Sequence, residues 1–199
     1  MKKIMLILLM LLVTGCTVVR IDTNNIDTII DVVLSKENTL YNHVGKGFKY
    51  FCPGGVAYIT TNEYNEKLYS DGNYYFLYVD IISYYYKKEF NYEPKKDIYY
   101  SRIISINDKD GYVEITEKDG LYLIKFYYNY ATFEALVQKD DINKVILDAT
   151  YILSTIKYNG NVIKVVMNED YFNNKEEILE EFKPKDGEGT KLKFEDSEG

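Results

Sequence analysis

The chain has 199 residues, of which 31 are acidic and 24 are lysine or arginine, so its formal net charge is −7 at pH 7. This balance leaves no basic surface of the kind that binds nucleic acid, and we expect no nucleic-acid partner. With one histidine and two cysteines, the sequence carries no motif for a metal or cofactor site, and we expect neither. The length favours one folded domain with extensions.

The first sixteen residues have the organisation of a targeting signal. Lys2 and Lys3 precede an unbroken apolar run from Ile4 to Val13, which is too short for a membrane-spanning helix but fits a signal-peptide core. The run ends in Val13-Thr14-Gly15-Cys16. This sequence resembles the lipobox of bacterial lipoproteins, in which an aliphatic residue, two small residues and a cysteine form the cleavage site.

The lipobox resemblance implies that residues 1–15 are a signal peptide and that Cys16 becomes an acylated N-terminus. Two or more acyl chains attach a protein stably, because burial contributes about 0.8 kcal/mol per CH₂ and one chain alone is marginal. We therefore expect a protein anchored by lipid on the extracytoplasmic face of the cell membrane, with residues 16–25 as the lipidated cysteine and tether. An ordinary secretory signal and an uncleaved anchor are the alternatives.

The first predicted element of the folded domain is a helix. Asn25 is a suitable N-cap, and apolar residues recur after it at helical spacing, at Ile26, Ile29, Ile30, Val33 and Leu34. Two short strands are expected next, from Phe48 to Cys52 and from Val56 to Thr61. We expect the polar stretch from Asn62 to Asn73 to be a connection.

The strongest strand signal runs from Tyr74 to Tyr86. Both alternating sets of side chains in it are apolar, which predicts a central strand covered on both faces. Asp80 stands within this stretch, so its carboxylate needs a partner or a raised pKa. Arg102, in the next predicted strand, is a possible partner, and the two residues could form a buried ion pair.

A meander of four antiparallel strands is predicted after the charged stretch from Lys87 to Asp97. Its strands run from Ile98 to Ile106, from Tyr112 to Glu117, from Leu121 to Tyr130 and from Thr132 to Gln138. The Asp-Gly pair between the second and third strands is a strong hairpin signal, because glycine readily takes the positive φ of a tight turn.

A second helix is predicted from Asp140 to about Lys157, with apolar residues at helical spacing after two capping acids. Val162 to Met167 is predicted to be a final strand, which ends a single domain spanning residues 26–168. Residues 169–199 contain 11 acids and five lysines. In this acidic C-terminal extension we expect a short helix, from Lys175 to Phe182, and a flexible tail.

These elements predict an α+β fold in which helices flank an antiparallel sheet of about six to seven strands. The opening strand and turn from Gly47 to Pro53, the long strand, the meander and the late helix ending in Ile152-Leu153-Ser154-Thr155-Ile156 resemble the PsbP and Mog1 type of α/β/α sandwich. That resemblance implies a binding or assembly factor rather than an enzyme, and it supplies no site residues.

Few residues offer catalytic or metal-binding chemistry. His43 and Cys52 could form a base and a nucleophile, although a solvated loop histidine and a small buried thiol are the stronger interpretations. Residues 106–117 superficially match a calcium loop, but Ile106 occupies the first ligand position and a hairpin turn explains the pattern better.

Tyrosines flank the charged stretch from Lys87 to Asp97 and could form the rim of a binding pocket: Tyr84, Tyr85, Tyr86, Tyr99 and Tyr100. We therefore predict a non-enzymatic binding or assembly module that is held at the membrane and contacts an envelope protein or a small ligand. A substrate-capture lipoprotein serving a transporter is the alternative, and a hydrolase is a further one.

Overall fold

The computed structural model describes residues 21–168. The predicted signal peptide, Cys16, and the acidic extension after residue 168, with its expected helix from Lys175 to Phe182 and its expected flexible tail, lie outside the described residues. The helices are α1 (Ile26–Leu34), α2 (Ile81–Tyr86), α3 (Ile142–Thr155) and α4 (Gly160–Asn168). The strands are β1 (His43–Val44), β2 (Phe48–Tyr50), β3 (Ala57–Asn62), β4 (Asn65–Ser70), β5 (Asn73–Val79), β6 (Tyr100–Ile106), β7 (Lys109–Lys118), β8 (Leu121–Tyr128), β9 (Ala131–Val137) and β10 (Lys157–Tyr158).

Seven strands form one antiparallel sheet in the order β3-β4-β5-β9-β8-β7-β6. The strands β6 to β9 are consecutive neighbours, so the predicted meander is confirmed. A second, small sheet has the order β1-β2-β10 and is also antiparallel. Together with the helices these sheets confirm the predicted α+β class and its antiparallel sheet.

The core lies between the large sheet and the helices α1 and α3. Alternate side chains of β5, β8 and β9 are buried on this inner face, including Leu77, Phe126 and Phe133. α1 begins where predicted, since the side chain of Asn25 accepts a hydrogen bond from the backbone N–H of Thr28 at 2.9 Å. Burying the apolar stripe of each helix is what attaches it to the sheet.

The outer face of the large sheet is half-buried, and part of it is contacted by the connection between α2 and β6. Tyr92, in that connection, stacks on Tyr112 of β7 with ring centres 4.0 Å apart. Its hydroxyl donates to the buried carboxylate of Glu114 at 2.7 Å, and the Lys95 ammonium reaches the same carboxylate at 2.9 Å. These contacts fix the charged connection against β7.

The stretch from Tyr74 to Tyr86 is not one strand. β5 ends at Val79 because its pairing partner β9 begins at Ala131, so residues beyond Val79 have no strand beside them in register. Asp80 then caps α2, since its carboxylate accepts a hydrogen bond from the backbone N–H of Ser83 at 2.8 Å. The prediction of a single strand was wrong for the second half of the stretch.

Two other predictions of secondary structure were also wrong. The polar stretch from Asn62 to Asn73 contains β4. The buried residues of β4 include the polar Glu66 and Ser70, so its sequence lacks the alternating apolar pattern that predicts a strand. Residues 162–167 belong to α4 rather than to a strand, because Asn159 caps the helix and Ile163 and Val166 face the core at helical spacing.

Candidate functional site

A groove of about 420 Å³ lies at the beginning of the charged connection that follows α2. Its walls come from the end of α2, the β6–β7 turn and the β8–β9 turn. The lining residues are Lys87, Lys88, Glu89, Phe90, Asp108, Lys109, Asp110, Tyr127, Asn129 and Tyr130. The groove therefore combines aromatic rings with both signs of charge.

Tight turns shape this groove, and they do so with residues other than glycine. Lys87 ends α2 with φ 49°, Asp108 has φ 55°, and Asn129 and Tyr130 have φ 51° and 60°. A left-handed backbone is uncommon outside glycine, asparagine and aspartate, and for a bulky residue such as tyrosine it is a genuine outlier. Four residues with this backbone thus line one groove.

Two further tyrosines, Tyr84 and Tyr158, support the aromatic residues that line the groove. Tyr84 lies edge-on to Tyr130, with ring centres 5.9 Å apart, and stacks on Tyr158 at 3.9 Å. The Tyr158 hydroxyl donates to the backbone carbonyl of Asn129 at 2.7 Å, which fixes the turn. Burial, with the negative charge of Asp80 as a smaller cause, raises the pKa of Tyr127 to about 12, so its hydroxyl stays protonated and can donate a hydrogen bond.

The five tyrosines proposed as a rim do not come together at one site. Tyr84 lies behind the groove, and Tyr85 and Tyr86 pack edge to face on α2 with Tyr86 63% exposed. Tyr99 instead packs against Tyr122, and the Tyr100 hydroxyl donates to the Asp27 carboxylate at 2.8 Å. The charged connection does border the groove, but Tyr127 and Tyr130 supply its aromatic lining.

Arg102 pairs with α1 rather than with Asp80. Its guanidinium contacts Asp27 at 2.8 Å and Asp31 at 2.5 Å, and so ties β6 to the first helix. Asp80 is half-buried at the N-terminus of α2. The predicted buried ion pair between Asp80 and Arg102 was therefore wrong, because the first of these residues lies at a helix end and not within a strand.

His43 and Cys52 both lie close to a buried carboxylate that the sequence did not indicate. The Nε2 atom of His43 is 3.3 Å from Glu66, whose side chain is 1% exposed and also accepts a hydrogen bond from the Tyr50 hydroxyl. The Cys52 thiol donates to the carbonyl of Val56 at 3.3 Å, and burial, followed by the charge of Glu66, raises its pKa to about 11. A thiol with a pKa this high is protonated at neutral pH, and it is therefore a poor nucleophile.

We expect the stability of the Glu66→Gln variant, relative to that of the natural chain, to increase as the pH rises. Burial raises the pKa of Glu66, although the Tyr50 hydrogen bond and His43 oppose this. A carboxyl group whose pKa is raised by folding stabilises the protein fully below its unfolded pKa of about 4.3, and this stabilisation is lost as the pH rises through the folded pKa. Glutamine does not titrate, so the unfolding free energy of the variant does not fall for this reason.

Urea unfolding of the natural chain and the Glu66→Gln variant over a pH series measures this difference, with the exposed Glu63→Gln change as the matched control. A difference in unfolding free energy that stays constant or shrinks with pH would contradict the assignment.

Residues 106–117 form the β6–β7 hairpin and its second strand rather than a calcium loop. Across residues 21–168, no three histidine, cysteine, aspartate or glutamate side chains come close enough to hold a metal ion. Over the same residues, no helix has the length and apolar character required to span a membrane. Comparison with protein-family models and with curated protein sequences finds no match.

Proposed function

We propose that the chain is a lipid-anchored binding protein on the extracytoplasmic face of the cell membrane, and that it acts without catalysis. The anchor is supported by Lys2, Lys3, the apolar run and the lipobox-like residues ending in Cys16. The binding role is supported by the groove beside α2, which offers aromatic rings and polar groups to a ligand.

The observation that carries the binding role is the backbone of Tyr130. A non-glycine residue held in the left-handed region costs of order 1 kcal/mol or more, and asparagine followed by glycine is the sequence that such a two-residue turn favours. The ring of Tyr130 instead occupies that position and lines the groove. A bulky side chain at a position with this backbone cost supports a role for the ring in binding.

The groove is suited to an uncharged polar ligand with flat apolar faces. Its lining contains three lysines and three acidic residues, so it favours neither an anion nor a cation. Phe90 and Tyr127 stack nearly parallel, with ring planes 8° apart, and provide apolar surface, while Asn129 and the charged groups offer hydrogen bonds. Oligosaccharides of the cell envelope have this combination of hydroxyl groups and apolar ring faces.

Titration calorimetry with soluble N-acetylglucosamine oligomers tests the proposal on the chain from Thr17 to Gly199. Tyr130→Gly removes the ring and leaves a residue that adopts positive φ freely, so we expect binding to fall about tenfold while the fold is retained. The matched control is Asp119→Gly, which replaces another left-handed residue, with φ 53°, in the β7–β8 turn away from the groove.

The proposal fails if the oligomers do not bind the natural chain at millimolar concentration, or if both glycine variants bind them equally well. Thermal unfolding of the two variants shows whether the fold is kept.

A further inference from the structure

Lysines lie directly opposite each other on one face of the small sheet. Lys49 of β2 is in register with Lys157 of β10, and Val44 of β1 is in register with Lys49 on its other side. Like charges in directly opposing positions destabilise a pair of strands. An anionic surface placed against this face would offset that repulsion.

Positive charge is also concentrated in the groove of about 510 Å³ that adjoins this face. Three lysines, Lys46, Lys49 and Lys157, line it, and none of the described lining residues is acidic, although the whole chain has a net charge of −7. The side chain of Asn159 caps the adjoining α4 by accepting hydrogen bonds from the backbone N–H groups of Asn161 and Val162. Burial, then repulsion from Lys157, lowers the pKa of nearby Lys109, while Glu37 acts in the opposite direction.

Exposed apolar side chains surround these lysines. Val44 and Val162 line the same groove and are 69% and 39% exposed, and Val165 follows one helical turn later. The Lys49 ammonium lies 3.7 Å from the centre of the exposed Tyr41 ring, next to Leu40. Lysines beside exposed aliphatic and aromatic side chains are the composition of surfaces that rest on anionic membranes.

The described part of the chain begins at Ile21, near the end of α1. Ile21 lines a small cavity together with Asn38, and the Asn38 side chain accepts a hydrogen bond from the backbone N–H of Leu40 at 2.9 Å. Asn38 thus links the cavity that contains Ile21, the first described residue, to the stretch of chain that carries Leu40 and Tyr41. This step rests on the proposed lipid anchor, which would bring the same side of the domain to the bilayer.

We infer that a basic patch, formed by Lys46, Lys49 and Lys157 with the exposed residues Tyr41, Val44 and Val162, binds the anionic surface of the lipid bilayer. The lysines are attracted by the negative headgroups, and the apolar side chains enter the interface between headgroups and acyl chains. The patch orients the domain so that the lipid anchor and the small sheet contact the same leaflet.

Vesicle flotation of the unacylated chain from Thr17 to Gly199, which retains every described residue, tests the patch independently of the anchor. We expect binding to phosphatidylcholine vesicles that contain phosphatidylglycerol, little binding to pure phosphatidylcholine, and a loss of binding at high salt. The double variant Lys49→Gln/Lys157→Gln should bind roughly twenty-five-fold more weakly, at about fivefold for each lysine near the surface. It should fold at least as well as the natural chain, because the opposed charges are removed.

The matched control is Lys96→Gln/Lys139→Gln, which removes the same charge from two exposed lysines outside the patch and should keep most of the binding. Equal binding to the two kinds of vesicle, or equal losses in the two double variants, would overturn the inference. So would protection of Lys49 and Lys157 from an amine-reactive reagent in the chain without vesicles, since the acidic residues 169–199 would then cover the patch. None of these results would alter the case for acylation of Cys16.

Discussion

Gly111→Ala is expected to lower the free energy of unfolding by about 3 kcal/mol or more, within a total that is about 5–15 kcal/mol for ordinary domains. Gly111 lies in β7 and pairs with Tyr128 of β8 on one side and with Ile104 of β6 on the other. A Cβ atom on Gly111 would lie 2.3 Å from the carbonyl oxygen of Tyr127 and 3.0 Å from Cα of Tyr128. Because both obstacles are backbone atoms, no side-chain rotation relieves the clash, and the two strands must move apart.

Substitutions at two other glycines serve as controls that distinguish this clash from the general effects of replacing glycine by alanine. Gly54 has nothing within 4 Å of its added Cβ, so Gly54→Ala should change stability by no more than about 0.5 kcal/mol. Gly120 also has open space but has φ 81°, so Gly120→Ala should cost about 1 kcal/mol for the backbone alone.

Chemical denaturation of the three variants measures the series. If Gly111→Ala costs no more than Gly120→Ala, then β7 and β8 are not as close at this position as the structure places them.

Elements with strong local signals could be predicted from the sequence alone. The capped helix that follows Asn25, the helix over Ile142–Thr155 and the hairpin at Asp119-Gly120 were all confirmed. Each depends on residues that are close together in the sequence, because capping, helical periodicity and tight turns are short-range effects.

The elements that failed depend on distant partners. Where β5 ends is decided by the start of β9, some 50 residues later, and not by the apolar residues that continue after Val79. β4 buries Glu66, which is acceptable only because Tyr50 and His43 of the small sheet contact its carboxylate. Periodicity in a single stretch of sequence contains neither piece of information.

The candidate sites were less predictable than the fold for the same reason. The charged stretch borders the groove, but Tyr127 and Tyr130 reach the groove through the β8–β9 turn, where the sequence pattern predicts only the end of a strand. The opposed lysines lie on strands more than 100 positions apart in the chain. Only the pairing of β2 with β10 brings them together.

Replacing Cys16 by serine is expected to abolish acylation completely and to leave a precursor that still begins at Met1. Serine has no thiol to form the thioether that precedes cleavage in the lipoproteins that this N-terminus resembles. The effect on attachment is large, because two or more acyl chains give stable membrane association whereas one chain binds only marginally and reversibly. Removing all of them leaves only the apolar run from Ile4 to Val13 in the retained precursor.

Fractionation alone does not distinguish these forms, since the uncleaved apolar run can itself hold the precursor at the membrane. The measurement is therefore the intact mass of the chain and the incorporation of labelled fatty acid, with Cys52→Ser as the matched control. Cys52 lies within the folded domain, where its thiol donates to the carbonyl of Val56, so that variant should be cleaved and acylated as the natural chain is. A natural chain that keeps Met1, that is cleaved at another position, or that incorporates fatty acid when Cys16 is serine would exclude the lipoprotein assignment.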